Sequence, residues 1–150
     1  MTSQLNVDTI VDKAGSGGTN VKIGNTSTYV SDGGATTQNT VQGLAKVWCN
    51  IDGTAVDGTA DLTGVNDSFN IASVVDNGTG DYTYAFQNVM NNANYSFSAA
   101  VRGDSTSNDN IFNADQAHSF SASQLIMRNR DAAAVRDSEQ ACIQVFGDLA

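Results

Sequence analysis

The chain has 150 residues, 7 Lys and Arg against 16 Asp and Glu, and a formal net charge of −9. Its few cations are scattered singly, which excludes a surface built to hold phosphates, whether of a nucleic acid or of an anionic membrane. Gly, Ser, Thr, Asn and Asp supply 73 residues, the acids are fifteen Asp and one Glu, and proline is absent, a composition that favours turns and short strands over surface helices.

In chain order, residues 1–43 come first, with sparse apolar clusters separated by AGSGGTN, IGNTST and SDGGATTQN. Too little apolar surface is available there to offset the ordering entropy of a separate domain. The segment reads as an extended attachment arm or linker, with Leu5, Val7, Ile10 and Val11 as its anchoring candidates. Its start, MTSQLNVDTIVDKAG, lacks the basic opening and apolar run of a signal peptide. No apolar stretch approaches the roughly 20 residues of a membrane-spanning helix. Synthesis in a cytoplasm without membrane insertion is therefore expected, with Cys49 and Cys142 as free thiols in apolar strands.

Residues 44–150 read as one head domain. Over 44–51, Ala45, Val47, Cys49 and Ile51 alternate with Lys46, Trp48 and Asn50, the period of a strand. A Gly/Asp loop, DGTAVDGTADLTGVND, follows. The stretch 68–86, SFNIASVVDNGTGDYTYAF, reads as a β-hairpin turning at Asn77-Gly78-Thr79-Gly80, with Tyr82, Tyr84 and Phe86 on a core face. Residues 88–92 make a turn, and 94–102 a strand with Tyr95, Phe97, Ala99 and Val101 on one side. After a polar excursion over 103–116, residues 117–130 read as a strand bulged at Ser123–Gln124. A short helical turn fits 131–135, and 139–147 forms the closing strand. The predicted fold is all-β: an antiparallel β-sandwich of six to eight strands preceded by an extended N-terminal arm. Strands apolar on both faces (Val47 with Trp48, Val145 with Phe146) predict that an outer face is covered by another subunit.

Residues fit for catalysis are few. His118 is the only histidine, no nucleophile elbow accompanies it, and one His with two distant Cys makes no spaced zinc set. Asp52, Asp57 and Asp61 share one loop, and Asp104 and Asp109 another, without the ligand spacing of a calcium loop. They read as solvated turn residues, with a structural Ca²⁺ or a glycan-cleaving carboxylate pair as the alternatives. Trp48 has two readings, a sugar-stacking platform or a covered interface residue, of which the second is preferred. No enzyme activity and no cofactor are expected.

Four segments carry a family resemblance: AKVWCNIDG, DSFNIASVVDNGTGDYTYAF, VMNNANYSFSAAVRG and the closing QVFG. Together, over 45–147, they resemble the carboxy-terminal domain of many tailed-bacteriophage fibre proteins. The amino-terminal SQLNVDTIVDKAGSGG is similar to the start of fibre-like virion proteins of marine phages, cyanophages included. The resemblance implies a virion protein that assembles as a homotrimer. It also implies that the arm holds other virion proteins while the head meets a host surface glycan or protein. Variable outward loops suit binding, which makes Asn66, Asp67, Asp104, Asn108, Asp109, Asn110, Asn129 and Asp131 the receptor-binding candidates. The expected function is a short tail fibre mediating host attachment. Only residues 26–44 stand where long fibres carry a shaft, so a capsid decoration (cement) or head-fibre protein is the alternative.

Overall fold

A computed structural model describes residues 28–30, 37–39, 43–102, 111–113, 120–130 and 135–150, with backbone alone at 28–30, 37–39, 111–113 and Arg130. The chain divides into two units, Met1–Val41 and Gln42–Ala150. In the first, β1 (Thr28–Val30) pairs antiparallel with β2 (Thr37–Asn39). The anchoring candidates Leu5, Val7, Ile10 and Val11 lie outside the described residues.

The second unit is built where apolar side chains alternate. Its strands are β3 (Ala45–Ile51), β4 (Val65–Phe69), β5 (Ile71–Gly78), β6 (Asp81–Phe86), β7 (Ser96–Arg102), β8 (Ile111–Asn113), β9 (Gln124–Arg130) and β10 (Gln140–Phe146). They form two antiparallel four-stranded sheets, β4-β3-β10-β7 and β5-β6-β9-β8, and the unit is an antiparallel β-sandwich. Every described element is a strand, turn or bend. The short helical turn expected at 131–135 falls on residues of which 131–134 lie outside the description.

The core is filled from both sheets. Val47, Cys49, Ile51, Ala141, Ile143 and Val145 come from β3 and β10, and Val74, Tyr82, Tyr84, Phe86, Leu125 and Met127 from β5, β6 and β9. The alternation read at 45–51 and 81–86 thus sends the predicted residues inward. At roughly 25 cal/mol per Å² of apolar surface removed from water, such burial is the main source of stability.

The hairpin expected over 68–86 is shorter than the sequence suggests. Ser68 and Phe69 belong to β4 of the first sheet, whereas Ile71 opens β5 of the second. The chain changes sheets at Asn70, whose φ of 61° is left-handed, a region that Asn tolerates better than most residues. The turn itself stands where expected, with its positive φ at Gly78 and Gly80. The strand expected over 117–130 begins only at Gln124. The Ser121 hydroxyl accepts the amides of Ser123 and Gln124 at 3.3 and 3.1 Å, so the phase change is a tight turn ahead of the strand and not a bulge within it.

The Gly/Asp loop lies along β5. The amides of Val74 and Asp76 donate to the carbonyls of Asp61 and Asp57 at 2.7 and 2.8 Å, covering an edge that would otherwise stand open to other strands. The three loop carboxylates serve the backbone. Asp52, Asp57 and Asp61 accept the amides of Thr54, Thr59 and Thr63 at 3.0, 2.7 and 2.7 Å, each closing an Asx turn.

Candidate functional site

Cross-strand register fixes which side chains share the outer face of β4-β3-β10-β7. One row across the four strands reads Phe69, Trp48, Gln144, Ser98, and the next reads Asp67, Asn50, Cys142, Ala100. Phe69 is 53% exposed, Gln144 and Ala100 are exposed, and Trp48 and Cys142 are half-buried. The Asn66 amide reaches Asn50 Oδ1 at 3.4 Å. A shallow depression of about 110 Å³ opens beside Ser98, Ala100, Cys142 and Gln144. The face therefore has an aromatic ridge at its β4 end and small residues at its β7 end.

Asn66 and Asp67 are exposed, but they stand on the edge strand β4 and not in the expected loop, because β3 supplies a pairing partner for polar residues that read as a turn. Asn129 is a clearer correction. It is fully buried in β9, its backbone N–H donates to Gly80 O at 2.6 Å, and its Nδ2 donates to Arg136 O at 2.8 Å. It fastens loop to strand and presents nothing to a receptor. Asp104, Asn108, Asp109, Asn110 and Asp131 lie outside the described residues, as does His118.

No family model, curated protein or solved structure matches this chain. Chemistry therefore has to be read from the arrangement itself. Among the described residues, no three or more His, Cys, Asp or Glu side chains gather where a metal ion would sit. Cys49 points into the core opposite Ile143, while Cys142 stands opposite Asn50 on the outer face, and both are free. Burial pushes the Cys49 thiol up to about 12 and raises that of Cys142 as well, so neither is an activated nucleophile. Lys46 folds back to donate to Leu44 O at 2.6 Å, and burial lowers its pKa.

A second concave place lies at the end of the sandwich, an open cleft of about 250 Å³ among Met90, Asn92, Asn94, Tyr95, Phe146 and Asp148. Tyr95 forms its wall, held by a 3.0 Å hydrogen bond to Gln124 O and by edge contacts with Phe86 and Phe120 at ring-centre distances of 6.0 and 5.8 Å.

A polar corner closes the opposite flank of the core. The Tyr82 hydroxyl donates towards Gly53 O at 3.1 Å and Asp137 Oδ1 at 3.0 Å, and that carboxylate oxygen also accepts Gly80 N–H at 2.6 Å. Burial, with the Asp137 charge second, raises the Tyr82 phenol far above its usual range. Both glycines are required there. A Cβ on Gly53 would lie 2.4 Å from the Tyr82 hydroxyl, and one on Gly80, at φ +68°, would strike the Asn129 and Arg136 carbonyls at 2.6 Å. Sequence reading placed Asp137 in an outward binding loop and foresaw neither its bonds to Tyr82 and Gly80 nor the exposed ring of Phe69.

Proposed function

We propose that this chain is a non-enzymatic virion protein of a tailed phage: a short tail fibre, homotrimeric, whose head attaches the particle to a host surface glycan or protein. The observation that carries the reading is where the resembling segments fall. AKVWCNIDG is β3 and its turn, SFNIASVVDNGTGDYTYAF runs from β4 through the β5–β6 hairpin, ANYSFSAAVRG supplies Tyr95 and β7, and QVFG ends β10. The matching residues thus make up the frame of a single sandwich, as expected if a whole domain is shared. Attachment would be multivalent, several weak contacts across a trimer and several fibres adding up to useful avidity.

Deleting the protein from the virion, or blocking it with antibody, is expected to abolish adsorption to the host; unchanged adsorption would overturn the attachment role. Copy number separates the tail from the shell. A low count per particle belongs to a tail fibre, and a count matching the capsid subunits to a decoration protein. The arm, residues 1–43, is the segment assigned to contacts with other virion proteins.

A further inference from the structure

We infer that the outer face of β4-β3-β10-β7 is where one copy of this chain meets another, with the Trp48–Phe69 ridge of one copy seated in the small-residue depression of its neighbour. The inference rests on the self-assembly contained in the reading above and names the surface that performs it.

Three observations converge on this face. The first is shape. Its rows run from large to small, Phe69 and Trp48 at one end, Ser98 and Ala100 at the other, with strands about 4.8 Å apart. The ridge and the 110 Å³ depression are therefore separate features of one surface, and each copy can offer its ridge to one neighbour and its depression to the other, the head-to-tail contact that a closed trimer requires.

The second is exposure. Of the large exposed hydrophobic residues among those described, Phe69 alone sits on a strand; Leu44, Leu62, Val89, Phe120, Val135 and Leu149 lie outside the strands. A strand-borne ring held in water beside a half-buried Trp is the kind of patch that a partner covers.

The third is charge. The chain carries −9, so two copies repel over most of their surfaces. Yet β3, β7 and β10 contain no Asp or Glu at all. The acid in these two rows is Asp67, at the edge. Copies that meet here bring no carboxylate against another across the centre of the contact. A neutral glycan stacked on Trp48, its hydroxyls bonded by Gln144, Ser98 and Asn50, is the competing occupant, and the experiment below separates it from a second copy.

Sedimentation equilibrium of the full chain tests this against Phe69→Ser, Ala100→Glu and, as a control on the other sheet, Ala72→Glu. All three positions are exposed, and far-UV circular dichroism checks that each variant folds. The expected result is a wild-type multimer, association at least tenfold weaker for Phe69→Ser, a monomer for Ala100→Glu, and an unchanged mass for Ala72→Glu. Trp48, the only tryptophan, gives an independent readout, with emission shifting to longer wavelength as the wild type dissociates on dilution. A multimer that neither face variant weakens overturns the assigned surface and leaves self-assembly standing. A monomeric wild type overturns both, and quenching of Trp48 by dextran in that monomer would hand the face to a glycan.

Discussion

Asn70 and Asn88 hold one another at the point where the chain leaves one sheet for the other. Asn70 Oδ1 accepts both the backbone N–H and the Nδ2 of Asn88, at 2.7 and 2.9 Å, while Asn70 Nδ2 donates to Asn88 O at 3.0 Å and to Lys46 O at 3.1 Å. With φ at +61°, one side chain serves the crossing, the following turn and β3 together. Asn70→Ala removes these bonds and puts a Cβ-bearing residue without a local hydrogen bond in the left-handed region. Four bonds at about 1 kcal/mol each, with about 1–2 kcal/mol for the backbone, bring the expected loss to about 5–6 kcal/mol. Asn70→Gly keeps the backbone and should lose less, and Asn88→Ala, which removes one donor, about 1 kcal/mol. Urea unfolding of the three variants checks the order.

The approach of Tyr82 to Gly53 predicts a coupled pair. Tyr82→Phe removes two polar contacts and should cost about 1–2 kcal/mol. Gly53→Ala places a methyl group against the hydroxyl and is expected to cost more. The Phe ring lacks that oxygen, so the double variant should be less destabilised than the two single losses added together. A double-mutant cycle by thermal or urea unfolding reads the difference; strict additivity would show that the contact at 2.4 Å does not govern this corner.

Tyr84→Phe is expected to stabilise the protein. Its hydroxyl is fully buried and has no hydrogen-bond partner among the described residues, and an unsatisfied buried hydroxyl carries a desolvation penalty of about 1–3 kcal/mol. Burial also raises this phenol well above its ordinary value, as it raises Tyr82 and Cys49, and it pushes Tyr95 up to about 12. A group whose folded pKa lies above its unfolded value contributes stability that is complete below the unfolded pKa and is lost as pH rises towards the folded one. Stability set by these groups should therefore hold through neutral pH and fall above about pH 9 to 10, where thiols and phenols of the unfolded chain ionise. Tyr84→Phe should flatten that alkaline decline, measured as urea midpoints between pH 8 and 11.

Opposite-face placement of the two thiols predicts their reactivity. In dissociated copies, where the outer face is uncovered, Cys142 should be modified by a thiol reagent faster than Cys49, and Cys49 should react only on unfolding. Reductant should leave the melting temperature unchanged. A mass spectrum showing a Cys49–Cys142 bridge in folded protein would contradict the geometry, since a disulfide needs Cβ atoms that face each other.

Strands whose apolar residues alternate without interruption were legible in the sequence. Tyr82, Tyr84 and Phe86, or Ala141, Ile143 and Val145, point inward because a period of two admits no other arrangement. The break at Asn70 was not legible, since apolar residues on either side keep the run looking continuous and only the tertiary crossing sets φ there. Asn129 reads as a loop residue by composition, and its burial depends on Gly80, distant in sequence, and on Arg136 across the loop that follows β9. The outer face was half legible. Trp48 beside Val47 announced a strand apolar on both sides, but its neighbour Phe69 depends on the β3–β4 register, which a bulge at Asn50/Ile51 shifts.

The central pairing of β3 with β10 bears on how the molecule is made. Residues 45–51 leave the ribosome almost a hundred positions ahead of the segment, 140–146, that fills the middle of their sheet. Until that segment emerges, β7 has no neighbour in its sheet, and one inner side of β3 stays unpaired. The domain cannot form progressively during translation. It has to condense in a late step with high contact order, slow by the standards of small domains. A message truncated before codon 140 would yield a chain lacking a central strand, not a trimmed edge.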